Sequence, residues 1–341
     1  MQLINYFKSN LIYQLSFFLI CFSNSGCNAQ KQFGNDYLTL QKTIPLTDVK
    51  GRIDHLSFDK EHNILFIAAL GNNSVEIIDL MSGENIHSIK GLDEPQGVLY
   101  IPDSRSIFIT NGGNGICRFY NAADYQAMGE INLMDDADNA RYDDEEHNIY
   151  IGYGDGGIAL INDATQNFIG TIKLDGHPES FQVDPHSKKI WINVPVKNTI
   201  EVADGKTFTV TERWKFDNLA GNFPMSYDGI NHRLFVGFRT QSKILVLNSE
   251  TGKKITLLNC VSDADDIFYD ENSKWLIVSG GGGYIDIFQQ QGPDIYMSIA
   301  HISTHKGART SYWISDLKEL LLAVPEDGGQ TAELRIYKST K

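Results

Sequence analysis

The sequence predicts an all-β, seven-bladed β-propeller with four-stranded blades, its ring closed by an N-terminal strand. Three observations carry the prediction: a unit of about 42 residues that recurs seven times, a β-rich composition punctuated by glycine, and one strand-like segment left over ahead of the first unit.

Each unit is marked by the end of its first strand. Arg52-Ile53-Asp54-His55-Leu56-Ser57-Phe58-Asp59 stands beside Asp136-Ala137-Asp138-Asn139-Ala140-Arg141-Tyr142-Asp143, and the slot returns at 177–184, 222–228 and 263–270. Glu94-Pro95-Gln96-Gly97 and Gly307-Ala308-Arg309-Thr310 open two copies that lack the terminal Asp. The markers fall at 59, 101, 143, 184, 228, 270 and 314, with steps of 42, 42, 41, 44, 42 and 44, the spacing of WD40-like blades. Within a unit the order is strand a after the polar slot, a turn such as Glu61-His62-Asn63, strand b from Ile64, a glycine loop, strand c from Val75 and strand d. The glycine loops at 71–73, 111–115, 154–157 and 280–283 are read as hairpin turns that need positive φ; a phosphate cradle would need a following helix. The last unit holds only strands a, b and c, so Tyr37 to Leu46 is expected to supply its outer strand and leave no unpaired edge.

The composition fits this plan. A chain of 341 residues at 42% hydrophobic can bury a large core, and 30 Gly against 9 Pro, with 18 Phe and 15 Tyr, belongs to many short strands. The propeller domain is placed at 37–341 and a signal peptide at 1–29: Lys8, the apolar run Leu11 to Phe22, then small polar residues. The run is too short to span a bilayer. Cleavage before Cys27 would leave a lipid anchor on that cysteine, and cleavage after Ala29 a soluble protein, so the expectation is an exported chain, periplasmic or tethered as a lipoprotein. Cys117 and Cys260 alone remain in the mature fold, too few for a disulfide framework. A net charge of -14 without a basic run argues against nucleic acid as partner. A monomer is expected.

Residues 42 apart become neighbours around one mouth of a propeller channel. Aligning the slots places Asp54, Gln96, Asp138, Glu179, Phe223, Asp265 and Arg309 in a first ring, and His55, Gly97, Asn139, Ser180, Pro224, Asp266 and Thr310 in a second. His177, two residues before Glu179, and Arg239, in a loop after strand b, join the same rim. The candidate ligand-binding residues are therefore Asp54, His55, Gln96, Asp138, Asn139, His177, Glu179, Arg239, Asp265, Asp266 and Arg309. Carboxylate and amide oxygens suit a small polar ligand or a divalent cation, and clustered acids raise one another's pKa. The plain structural alternative is that these side chains bond backbone amides of neighbouring blades. Arg141 has two readings, an ion pair with Asp138 or a neighbouring acid, or an anion site. The marker aspartates are expected to close turns, His62, His147 and His232 to sit solvated on the opposite rim, and Phe58, Tyr100, Tyr142, Tyr227 and Tyr269 to pack between blades.

The strings Asp138-Asn139-Ala140-Arg141-Tyr142-Asp143, Gly176-His177-Pro178-Glu179-Ser180-Phe181, Phe223-Pro224-Met225, His232-Arg233-Leu234-Phe235-Val236-Gly237, Asp263-Ala264-Asp265-Asp266 and Gly307-Ala308-Arg309-Thr310 resemble the YVTN-repeat, YncE-like propeller family over nearly all of 37–341. The resemblance implies an extracytoplasmic ring related to quinoprotein-like propellers and no single reaction. The Tyr-Val-Thr-Asn pattern itself survives only as Phe108-Ile109-Thr110-Asn111. The expected function is a binding module holding a small polar ligand or cation in an acidic funnel. The alternatives are a metal-dependent lyase or lactonase-like enzyme with His55 or His177 as general base, and a protein-interaction scaffold. No catalytic motif is present.

Overall fold

Seven short polypeptide turns set the frame of the computed structural model, which describes residues 37–133 and 135–341; the leader, with Cys27, lies outside them. Before strand b of every blade one residue is left-handed: Asn63, Arg105, His147, Lys188, His232, Lys274 and Lys318, with φ between 50° and 62°. None is glycine, so each turn bears a local cost of about 1 kcal/mol that its hydrogen bonds must offset. The marker aspartates supply those bonds. Asp59 Oδ1 accepts the Glu61 and His62 amides at 3.0 and 3.3 Å, and Asp184 Oδ1 accepts those of His186 and Ser187 at 3.0 and 3.3 Å. Where the Asp is missing, the Pro102 and Ser315 carbonyls accept the Arg105 and Lys318 amides instead. The marker aspartates thus close turns, as the sequence predicts.

The turns join seven four-stranded antiparallel sheets. The closing strand Leu38–Pro45 pairs antiparallel with Glu333–Ser339 and completes the seventh sheet. Its Leu38 and Ile44 are each 1% exposed, so the strand contributes core as well as hydrogen bonds. Blades seven and one then share a core in which Ile314, Leu321 and Ala323 meet Ile53, Leu65 and Ile67, and Thr310 Oγ1 donates to the Ile53 carbonyl at 3.1 Å. Packing closes the ring at that joint, and among the described residues Cys117 and Cys260 are free thiols.

At three other joints the third residue of strand b faces the tyrosine of the next blade's strand a: Phe66 stacks on Tyr100 at 5.7 Å and Phe235 on Tyr269 at 5.4 Å, and Trp191 lies tilted against Tyr227 at 4.7 Å. Phe58 packs on the joint with blade seven and Tyr142 on the core of blade two, so the five strand-a aromatics do sit between blades. His62, His147 and His232 are half exposed on the turn rim, each beside a carboxylate, at 2.7 Å for His62 and Asp59. The glycine loops need one refinement. In the first, the left-handed residue is Asn73, at φ 52°, and Gly71 is required for space, because a Cβ there would lie 2.7 Å from the Arg52 nitrogen.

Candidate functional site

The two polar residues at the head of each strand a lie where the sheet ladder is interrupted. In blades two, three and five the pairing skips Gln96-Gly97, Asp138-Asn139 and Phe223-Pro224; in blade six it skips Asp265. In blades one, four and seven the strand begins only after the pair, at Leu56, Phe181 and Ser311. A bulge turns successive side chains away from strict alternation, and here it aims them at the axis. The fifth residue of strand b then fixes the bulge of the next blade: Thr110 Oγ1 donates to the Asp138 carbonyl at 2.5 Å, Asn193 Nδ2 to that of Phe223 at 2.8 Å, and Ser279 Oγ to that of Arg309 at 2.6 Å. The first-ring backbone at Asp138, Phe223 and Arg309 is therefore held by the preceding blade.

All eleven sequence-predicted residues line one axial cavity of about 290 Å³. Arg52 and Asp136 line it as well, and the sequence reading passed over them. Each stands two residues before a first-ring residue, the relation that had singled out His177, so the same offset applied to every blade would have found both. Asp266 takes the structural alternative, its Oδ2 accepting the Ser311 amide at 2.7 Å, and so does Thr310 in the bond to blade one.

The funnel is less acidic than the aligned slots imply, because three arginines answer the carboxylates. On the side of blades five to one, Arg52 meets Asp54 at 2.7 Å, Arg309 meets Asp265 and Asp263 at 3.3 and 3.2 Å, and Arg239 contacts Asp265 while lying 3.8 Å over the Phe223 ring. Around blades two to four the groups are acids, an amide and His177. Gln96 donates to Asp136 at 2.8 Å, His177 Nδ1 donates to the Gly154 carbonyl at 2.7 Å, and His177 Nε2 lies 3.6 Å from Asp138. Glu179 accepts no hydrogen bond from the described residues.

Crowding divides the protons. Contact with Asp138 leads the groups that hold His177 up to about 9, against its burial. Burial, then the Asp138 charge, pushes Glu179 up to about 7. Burial also raises Asp136 and Asp266. Burial works against the Asp54–His55 pair as well, but Asp54 stays below the usual carboxylate range under His55, Arg52 and Arg309, and His55 is raised by Asp54, Asp138 and Asp266. His177 therefore carries a proton at neutral pH, which does not suit it as a general base; Glu179 is the group poised to exchange one. Asp54, His55 and Asp138 can each bring one donor atom to within 4.8 Å of the others, the set that could hold a cation.

Arg141 makes no ion pair with Asp138. Its NH1 donates to Asn139 Oδ1 and, at 2.8 Å, to the Ala140 carbonyl, and it points away from the funnel.

No protein-family model matches the sequence, and no curated protein matches it. Solved structures do. The chain is similar to one in a crystal structure of the mitotic checkpoint complex, at 14% identity and TM-score 0.76, over 97% of this chain and 98% of that one. It is also similar to a chain of hydrazine synthase from Kuenenia stuttgartiensis, at 14% identity and TM-score 0.71, over 81% of this chain and 94% of that one. At such identity the likeness carries the fold and nothing finer: the chain is a seven-bladed β-propeller.

Proposed function

We propose that this protein is an exported propeller of the YVTN-repeat, YncE-like kind that binds a small polar ligand in the axial funnel. One observation carries the reading: among the described residues the carboxylate of Glu179 accepts no hydrogen bond, while its own amide is fixed to the Asn193 carbonyl at 3.0 Å, and Asp138 beside it is engaged only by the 3.6 Å contact to His177. Acceptors placed this way gain most from a ligand that donates, such as a hydroxyl or an ammonium, and the arginines opposite suit an acidic group on the same molecule. The test is a thermal-shift screen of sugars, amino acids and polyamines, repeated on Asp138→Asn with Glu179→Gln. A ligand that raises the midpoint of the native protein and not of the variant supports the reading; unchanged shifts reject it. Fractionation and the mass of the mature N-terminus test export and the Cys27 anchor.

The Asp54, His55 and Asp138 grouping favours a second reading, a divalent cation held there, with or without an enzymatic role. Elemental analysis of the purified protein decides it: a stoichiometric metal lost in Asp54→Asn supports the cation, and a metal-free protein whose melting ignores both calcium and chelator removes it. A scaffold role draws on the neighbour found in a checkpoint complex and would use the outer faces, so funnel variants would leave its partner binding intact.

A further inference from the structure

Beyond the funnel the channel widens into a second chamber of about 530 Å³ that runs down to the ends of the strands a at Asp270 and Ser315. Its walls include the residues two before each marker, a third ring created by the same alignment, and, from the funnel side, His55, Asp265 and Asp266. In this ring Phe268 and Tyr312 are neighbours, edge to face at 6.3 Å, and Leu99 is the third apolar member, beyond Ser57. Ser57 and Ser226 are already engaged, each accepting the amide of the next blade's tyrosine, and the Gln182 amide donates to the Met225 carbonyl. The seventh member is Arg141.

Arg141 differs from every arginine of the funnel. Arg52, Arg239 and Arg309 each meet an aspartate, whereas among the described residues no carboxylate lies within 4.0 Å of the Arg141 guanidinium. Its acceptors are neutral: Asn139 Oδ1, the Ala140 carbonyl, and Ser180 Oγ at 3.5 Å. The Nε–NH2 edge, the fork that grips a carboxylate with two parallel bonds, carries only that last, long contact. A cation held inside a protein without a direct ion pair is costly; Asp266 and Asp138 support this one only from beyond 4.0 Å, and burial draws it below the usual guanidinium range. We propose that the lower chamber is a second binding site, for an organic carboxylate with an aromatic or branched apolar body, whose carboxylate takes the free edge of Arg141 and whose body lies on Leu99, Phe268 and Tyr312. The site is separate from the funnel ligand and does not depend on it.

The probe is 3-phenylpropionate, compared by calorimetric titration with its neutral amide and with acetate. The expected order is carboxylate tighter than amide by roughly ten-fold or more, the value of a charge-assisted bond, and acetate without measurable binding. Arg141→Met should remove the preference for the carboxylate, Leu99→Trp should fill the chamber and abolish binding of both, and Glu179→Gln should change neither. Equal affinity for acid and amide, no binding of either at millimolar concentration, or carboxylate binding unaltered in both variants would overturn the proposal.

Discussion

The two ends of strand a, only five residues apart, obey different rules. At the turn rim all seven blades repeat one geometry, a left-handed residue before strand b, closed by an Asp or by a backbone carbonyl. At the funnel rim the backbone recurs as a break in the ladder, yet the side chains run through Asp54, Gln96, Asp138, Glu179, Phe223, Asp265 and Arg309. Repetition marks what the ring needs in order to form, and divergence on the same repeat marks chemistry that the ring does not need. Replacements should therefore cost stability at one end and binding at the other.

The largest effect belongs to ring closure. Removing residues 37–46 uncovers Leu38 and Ile44 and frees the edge of the strand Glu333–Ser339, a loss on the order of 5 kcal/mol, so the truncated ring should lose cooperative melting or drop far in midpoint. A ring that melts as before would break the account of closure. Next comes Lys188, 3% exposed on the turn rim with Nζ 2.6 Å from the buried Asp143. Lys188→Met strands that carboxylate and should cost about 3 kcal/mol in urea unfolding, where a simple turn lysine would cost almost nothing. Asp184→Ala removes the carboxylate oxygen that accepts two turn amides, for about 1–2 kcal/mol.

The funnel should answer to pH instead. Glu179 is raised from 4.5 to about 7, so the stability it favours in protonated form is full below 4.5 and lost as pH rises through 7. His177 is raised from 6.5 to about 9, so its contribution is full below 6.5 and lost as pH climbs through 9. A series of melting curves should fall across both windows; Glu179→Gln should flatten the lower one and His177→Gln the upper, while Asp184→Ala shifts the whole curve.

Period, blade number and closing strand were legible because hydrophobic pattern and turn chemistry repeat with the fold. The funnel residues were legible for the opposite reason: seven aligned slots show where the repeat stops being itself. What escaped followed from physics that one slot does not display. Arg52 and Asp136 enter through the offset of two residues, Arg52 offsetting Asp54 and Asp136 adding a carboxylate beside Gln96. The left-handed turn positions were hidden because Asn, His, Lys and Arg fill them in place of glycine. Arg141 lacks a carboxylate because the bulge sends Asp138 to the funnel and the arginine to the chamber below, a separation that sequence proximity conceals.

The central claim is that the funnel side chains serve a ligand and not the ring, and Glu179→Gln tests it most directly, by thermal unfolding at pH 8 beside the native protein. There Glu179 is mostly ionised against its own burial, so a neutral amide of the same shape should leave the midpoint unchanged or raise it. A fall as large as that of Asp184→Ala would mean that the carboxylate holds the blades together, and would contradict the claim.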